Sequence, residues 1–245
     1  MSKLLIEDNV WTISDSDLWR YARPSEETVF PLEYAFHLLG AVNGKTIVDL
    51  GCGGGLNTVT LARLGAHVFA IDTSDRNLEI AGERAYANGV HGNVTLLQSD
   101  GSVIPVGDHE ADHVFCSAIV QQNDPIIAGR HIRRVLRPGG TVVFNETLYS
   151  PVLLAVLDGF RPPDTKGWQN GLLTPALADA ISRAVGRTGR RKEFWLTMPL
   201  LARMGINSRS RAATVSQRVD ATLLRHFPRL RQFASHLVWE ARKEI

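Results

Sequence analysis

Asp49 is followed closely by four glycines, Gly51, Gly53, Gly54 and Gly55, and two further acids, Asp72 and Asp100, each close an apolar run. Glycines at this density allow backbone N–H groups to approach a ligand that a Cβ would hold away, and they permit dihedrals that other residues avoid. The apolar run Ile47–Leu50 before them and the helical pattern Val59, Leu61, Ala62, Leu64 after them make a strand, glycine turn and helix. That unit is used for nucleotide-like ligands. An acid two residues before the first glycine can orient the turn or bind an ammonium group through ordered water. A carboxylate at Asp72 can accept ribose hydroxyls, and one at Asp100, followed by Gly101, can accept the exocyclic amine of an adenine. Glu146, at the end of a later apolar run, can position or deprotonate a second reactant.

The elements that must carry these residues alternate. Expected strands are Thr46–Leu50, His67–Ile71, Val94–Gln98, His113–Ser117 and Thr141–Asn145. Helices are expected over Gly55–Leu64, Ser74–Asn88 and from Pro125 to the Arg137-Pro138-Gly139-Gly140 break. Asn123 and Asp124 precede that last helix as caps, with proline at its first position. Strands separated by helices imply a parallel sheet with right-handed crossovers, and ligands bind beyond the carboxyl ends of such strands. Residues 1–24 read as an irregular lead-in in which Tyr21 either packs on the domain or covers a ligand. A helix is expected over Ser25–Leu39, with Pro31 as an alternative start. In the final third, Pro151–Gly159 reads as a short helix and Thr174–Val185 as another. Gly186–Lys192 reads as a basic loop, Glu193–Pro199 as a strand, Arg211–Phe227 as a helix and His236–Arg242 as a closing strand. The expected fold is an α/β, Rossmann-like three-layer sandwich with a seven-stranded, mostly parallel sheet, its last strand antiparallel, plus a helical lid. It is read as one domain: an N-terminal helical cap over 1–43, a donor-binding core over 44–147, an acceptor lid or insertion over 148–235 and a closing strand over 236–245.

The chain has 245 residues, 44% hydrophobic and 21% charged, as in ordinary globular proteins. Its net charge of +2 is unevenly spread: residues 1–150 hold 11 Lys+Arg against 18 Asp+Glu, and residues 151–245 hold 16 against 7. A basic third of this kind serves an anionic ligand or is a solvated face. Cys52 and Cys116 sit at apolar strand ends and read as buried thiols of a reducing compartment, which with the early acids Glu7 and Asp8 points to a cytoplasmic protein. No stretch reaches the roughly 20 apolar residues of a membrane span. His109-Glu110-Ala111-Asp112-His113 fits a zinc-helix motif by letter only, because it leads into a strand, and no metal is expected. The sequon Asn93-Val94-Thr95 has no secretory context. The arginines at 130, 133, 134 and 137 suit the solvent face and negative end of a crossover helix better than a nucleic-acid surface.

Leu56 stands where a dinucleotide fingerprint carries its third glycine, and Asp49 has no use in a nicotinamide site. Taken together, Val48 to Gly55, Asp72, Asp100 and Leu136-Arg137-Pro138-Gly139-Gly140 resemble the class I S-adenosylmethionine-dependent methyltransferases. The closest subgroup is the small-molecule, ubiquinone/menaquinone-biosynthesis type (type 11), and the likeness covers residues 44–147. It implies that Gly51, Cys52 and Gly53 contact the methionine part of S-adenosylmethionine with Asp49 behind them. Asp72 would bind the ribose, Thr73, Asp100 and Gly101 the adenine end, and Ser117 would face the methyl sulfonium. Gln122, with Gln121, stands where related enzymes carry a histidine pair, so a histidine base is missing there and Gln122 joins the donor-site set. Asp112-His113-Val114 replaces the usual acid-aromatic-valine. Glu146 is the preferred acceptor-side group, ahead of Tyr149, His226 and His236. The implied reaction is methyl transfer to O, N or C of a small, apolar or amphipathic metabolite, with S-adenosylhomocysteine as product. The chain would act as a monomer or homodimer without nucleic acid. The alternatives are an RNA or protein methyltransferase using the basic third, and an NAD(P)-dependent oxidoreductase.

Overall fold

A computed structural model describes residues 12–99, 103–117, 124–148, 173–206 and 210–245. The strands are β1 (Thr46–Leu50), β2 (His67–Asp72), β3 (Val94–Gln98), β4 (Ala111–Cys116), β5 (Leu136–Thr147), β6 (Arg187–Phe194) and β7 (His236–Arg242). They form one seven-stranded sheet in the order β3-β2-β1-β4-β5-β7-β6. The first five pair in parallel, and β7 runs antiparallel between β5 and β6. The order reverses at β1, between β2 and β4, which is where a doubly wound sheet opens a crevice.

The helices are α1 (Asp15–Ala22), α2 (Pro31–Leu39), α3 (Leu56–Arg63), α4 (Asp75–Ala87), α5 (Pro125–Val135), α6 (Pro175–Val185), α7 (Met198–Arg203) and α8 (Arg211–His226). On one sheet face, Tyr34, Phe36 and Leu39 of α2 and Leu61 of α3 pack on Ile47, Phe115, Val143 and Val238. On the other, Ile132 of α5 and Ile181 of α6 pack on Val48, Val114, Val142, Phe144 and Trp239. The strand alternation therefore assigns every side chain of β1, β4, β5 and β7 to one layer or the other. Trp239 stacks on Phe144 with ring centroids 4.5 Å apart, and its indole N–H donates to the Ser182 hydroxyl of α6, which satisfies the one polar atom that its burial would strand.

Four expectations are corrected. Residues 15–22 form a helix, because the Ser14 hydroxyl accepts from the Asp17 N–H and two acids occupy the first turn. The helix expected from Ser25 begins at Pro31, which takes the first helical position, while Ser25 instead holds a turn through its bond from the Thr28 N–H. The basic stretch expected as a loop, Gly186–Lys192, is most of edge strand β6: Arg190 pairs with the buried Glu240 of β7, and Arg191 with Asp179 and Glu193. The strand expected over Glu193–Pro199 ends at Phe194, because the chain turns at Trp195. The expected helix Pro151–Gly159 lies outside the described residues.

Candidate functional site

The parallel register aligns the strand ends. Leu50 pairs with both Ile71 and Cys116, Cys116 pairs with Phe144, and Thr147 pairs with His236. Gly51, Asp72, Ser117, the Asn145–Thr147 end of β5 and the start of β7 thus share one edge. Asp100, Gly101, Gln122 and Tyr149 lie outside the described residues.

At this edge the turn after β1 is tied to β2. The N–H groups of Gly51 and Cys52 both donate to the Ile71 carbonyl, at 2.9 and 3.0 Å. The Gly53 N–H donates to Asp72 Oδ2 at 2.9 Å, and Ser74 N–H and Asn77 Nδ2 donate to Asp72 Oδ1, each at 3.0 Å. Asp72 thus positions the glycine turn and steadies the start of α4. Three of the roughly four lone-pair directions of a carboxylate are used, which leaves room for one ligand hydroxyl. Gly53 has φ +53°, and the space that a side chain would occupy there is open. Gly55 has φ +78°, and a Cβ would lie 2.7 Å from the Ala81 Cβ of α4. The first glycine keeps a cradle empty; the second lets α3 and α4 close up beneath it.

Under the cradle lies Asp49, fully buried. Its Oδ2 accepts from the Thr58 hydroxyl of α3 at 2.6 Å, and its Oδ1 is buried with no hydrogen-bond partner. Burial, opposed by the Thr58 hydrogen bond and aided by the charge of Asp72, pushes the carboxyl from 3.8 up to about 6. An unpaired carboxylate oxygen in this position is a stored electrostatic demand for a cation or a donor. Burial, then the charges of Asp49 and Asp72, also push the Cys52 thiol up, so this buried side chain is neutral and inert. The methionine end of S-adenosylmethionine carries an ammonium, and the open space over Gly53 together with the unmet Asp49 oxygen fits it.

The other expected residues are spread along the edge. Thr73 is exposed, and its carbonyl accepts from Gln98 at 3.3 Å. Ser117 is half-buried just past β4. Tyr21 of α1 packs on Phe36, with ring centroids 4.9 Å apart. Glu146 is buried, and alternation from Val142 and Phe144 puts its side chain on the α5/α6 face. Asp49 and Ser117, aligned with Ile47 and Phe115, belong to the α2/α3 face. The β5 residue on that face is Asn145. Its Oδ1 lies 2.9 Å from His236 Nε2. His236 is buried, and desolvation drives its pKa down to about 3, so the ring is neutral. His226, on the last turn of α8, has Nδ1 at 2.9 Å from the Thr222 carbonyl and lines a cavity together with Trp195.

Trp195 completes the row. Its ring centroid is 4.9 Å from that of His236, and its backbone has φ +62°. Asn145 and Trp195 escaped sequence reading. The period of two from Val143 was the available signal for Asn145; Trp195 had none. His109 lies in a turn and His113 in β4, so the zinc-like letters do not share a helical face.

Residues 48–144 match the family model described as a methyltransferase domain. The chain is 32% identical over 161 residues to the ubiquinone biosynthesis O-methyltransferase of Alkalilimnicola ehrlichii, which covers 62% of this chain and 64% of that protein. It thus spans less than two thirds of the length of that relative. Among solved structures, a SAM dependent methyltransferase from Aquifex aeolicus superposes with a TM-score of 0.55 at 22% identity, covering 74% of this chain and 93% of that one. The cyclase SpnF gives 0.59 at 22% identity, covering 83% and 76%. These two likenesses carry the fold alone, and a cyclase among them leaves the reaction to the site.

Proposed function

We propose that this chain is a class I S-adenosylmethionine-dependent methyltransferase of the type 11 subgroup, as the methyltransferase-domain match and the O-methyltransferase relative support, and that it methylates a small metabolite. The observation that carries this reading is the buried, unpaired Asp49 oxygen beneath the open Gly53 cradle. In the proposed site Asp49 offsets the ammonium of the donor, and the backbone of Gly51, Cys52 and Gly53 holds its amino-acid end. Asp72 accepts one ribose hydroxyl while continuing to hold the Gly53 N–H. Thr73, Asp100 and Gly101 take the adenine, Gln122 and Tyr21 complete the donor-contacting set, and Ser117 faces the reacting carbon. S-adenosylmethionine supplies a methyl already activated on a sulfonium, so positioning of the nucleophile supplies much of the rate. Glu146, buried at the end of β5, serves the acceptor side in positioning or as base, and Asn145 presents a polar group on the sheet face shared with Asp49.

The acceptor is a small apolar or amphipathic molecule. A cavity of about 510 Å³ opens at the β6 end of the sheet, lined by Tyr34, Phe194 and Trp195 with Arg218, Arg225 and Arg231 among its charged residues. Its size is that of ordinary ligand pockets. The oxygen-methylating relative favours a hydroxyl as nucleophile. Many of the arginines that would make the basic third a nucleic-acid surface are held in ion pairs, among them Arg190, Arg191, Arg225 and Arg231. Among the described residues no helix is long and apolar enough to cross a membrane. A cytoplasmic monomer or homodimer is part of the proposal. The test is incubation of the protein with methyl-labelled donor and separate panels of phenols and alcohols, amines, peptides and RNA. Label in the small hydroxyl compounds is expected; label in RNA or peptide alone overturns the reading.

A further inference from the structure

Trp195 and His236 stand at the acceptor end of the ligand edge with needs that the described protein does not meet. Both Trp195 Nε1 and His236 Nδ1 are buried without a hydrogen-bond partner. A buried donor or acceptor left unmet is destabilising, and a bulky residue at positive φ adds strain. The surroundings nevertheless fix this arrangement. The Trp195 carbonyl accepts from both the N–H and the hydroxyl of Ser235, at 2.9 and 2.8 Å. Immediately after it, the N–H groups of Leu196 and Thr197 donate to Oδ2 of the buried Asp220, at 2.9 and 3.0 Å. A strained residue held from both sides, its ring carrying an unmet donor and lying 4.9 Å from a ring with an unmet nitrogen, is the signature of a site built for a ligand.

The two orphans are complementary. With Asn145 Oδ1 as acceptor, His236 Nε2 carries the proton and Nδ1 presents a lone pair. The indole N–H can only donate. Because the imidazole is neutral and weakly basic in its buried setting, it serves as a hydrogen-bond acceptor and not as a proton-abstracting base. The sheet register puts this pair on the same face as Asp49 and Ser117, along the edge from the donor cradle toward the cavity that Trp195 also lines.

We infer that Trp195 and His236 form the outer wall of the acceptor site and select a neutral hydroxyl, the group that can accept from the indole and donate to the imidazole. The inference rests on the methyltransferase reading and names its acceptor chemistry; the pair are specificity residues. The experiment uses the full chain saturated with S-adenosylhomocysteine, with 4-propylphenol as probe and its methyl ether as the control that cannot donate. Protein labelled with 5-fluorotryptophan is followed by ¹⁹F NMR, and the Trp195 signal is identified by its loss in Trp195→Phe. The phenol should shift the Trp195 signal and bind roughly ten-fold or more tightly than the ether. His236→Phe should abolish that preference while affinity for S-adenosylhomocysteine stays unchanged. A Trp195 signal indifferent to the phenol, or equal binding of phenol and ether to the unaltered protein, overturns the inference and leaves the donor site standing. Failure of the unaltered protein to bind S-adenosylhomocysteine overturns the reading on which it rests.

Discussion

Asp49, in the proposed donor site, is held ionised at a cost to the stability of the fold. Its displacement from 3.8 to about 6 corresponds to about 3 kcal/mol. Between those values the native protein holds a proton that the unfolded chain has lost. Stability at this site therefore falls as pH rises from about 4 to 6, and the full cost applies above 6. Asp49→Asn should raise neutral-pH stability by about 2–3 kcal/mol in urea unfolding, with the gain vanishing near pH 4, and it should weaken S-adenosylhomocysteine binding. Thr58→Val removes the hydrogen bond that opposes the shift, so the pH below which the ligand is lost should move upward in a titration of affinity. Asp49 was legible because an acid behind a glycine turn is chemically conspicuous. The Asn145–His236 pair was not, because it joins residues from distant parts of the chain across a strand register that local pattern does not supply.

The glycine turn and the two helices behind it are one element mechanically. Gly55→Ala meets both an unfavourable φ and the 2.7 Å approach to Ala81, and should cost about 2–4 kcal/mol in chemical denaturation. Adding Ala81→Gly should recover only part of this, since it removes the Cβ overlap and leaves both the 2.8 Å approach to the Ala81 Cα and the dihedral. Strands β1 to β4 and helices α3 to α5 were legible from their caps, stops and apolar runs. Strand β6 was not, because Arg187 to Lys192 carry almost no apolar pattern. An edge strand whose charges pair with Glu240, Asp179 and Glu193 needs none. Helix α1 was missed because its apolar positions are few, although its Ser14–Asp17 cap was present.

Across the molecule, the N-terminal segment is fastened to the far edge of the sheet. Lys192 of β6 donates to the carbonyls of Glu26 and Thr28, at 2.8 and 2.9 Å, and lies over the rings of Tyr34 and Phe194. The Glu27–Arg225 pair spans the same gap but is mostly exposed on both sides. Glu27→Gln should therefore change stability by less than about 0.5 kcal/mol. Lys192→Met, which strands two carbonyls, should cost about 1–3 kcal/mol and speed hydrogen exchange across residues 26–34. The sheet order and the reversal at β1 place the glycine turn, Ser117, Asn145 and Trp195 in sequence along one edge. The central claim is that the cradle beneath this edge is built for a ligand bearing an ammonium group. Calorimetric titration of the unaltered protein and of Asp49→Asn, with S-adenosylhomocysteine and with NADH and NADPH, tests it most directly. Binding of S-adenosylhomocysteine that is weakened at least about ten-fold by Asp49→Asn, with no binding of either nicotinamide, is the predicted result; tight nicotinamide binding, or S-adenosylhomocysteine affinity indifferent to Asp49, would contradict it.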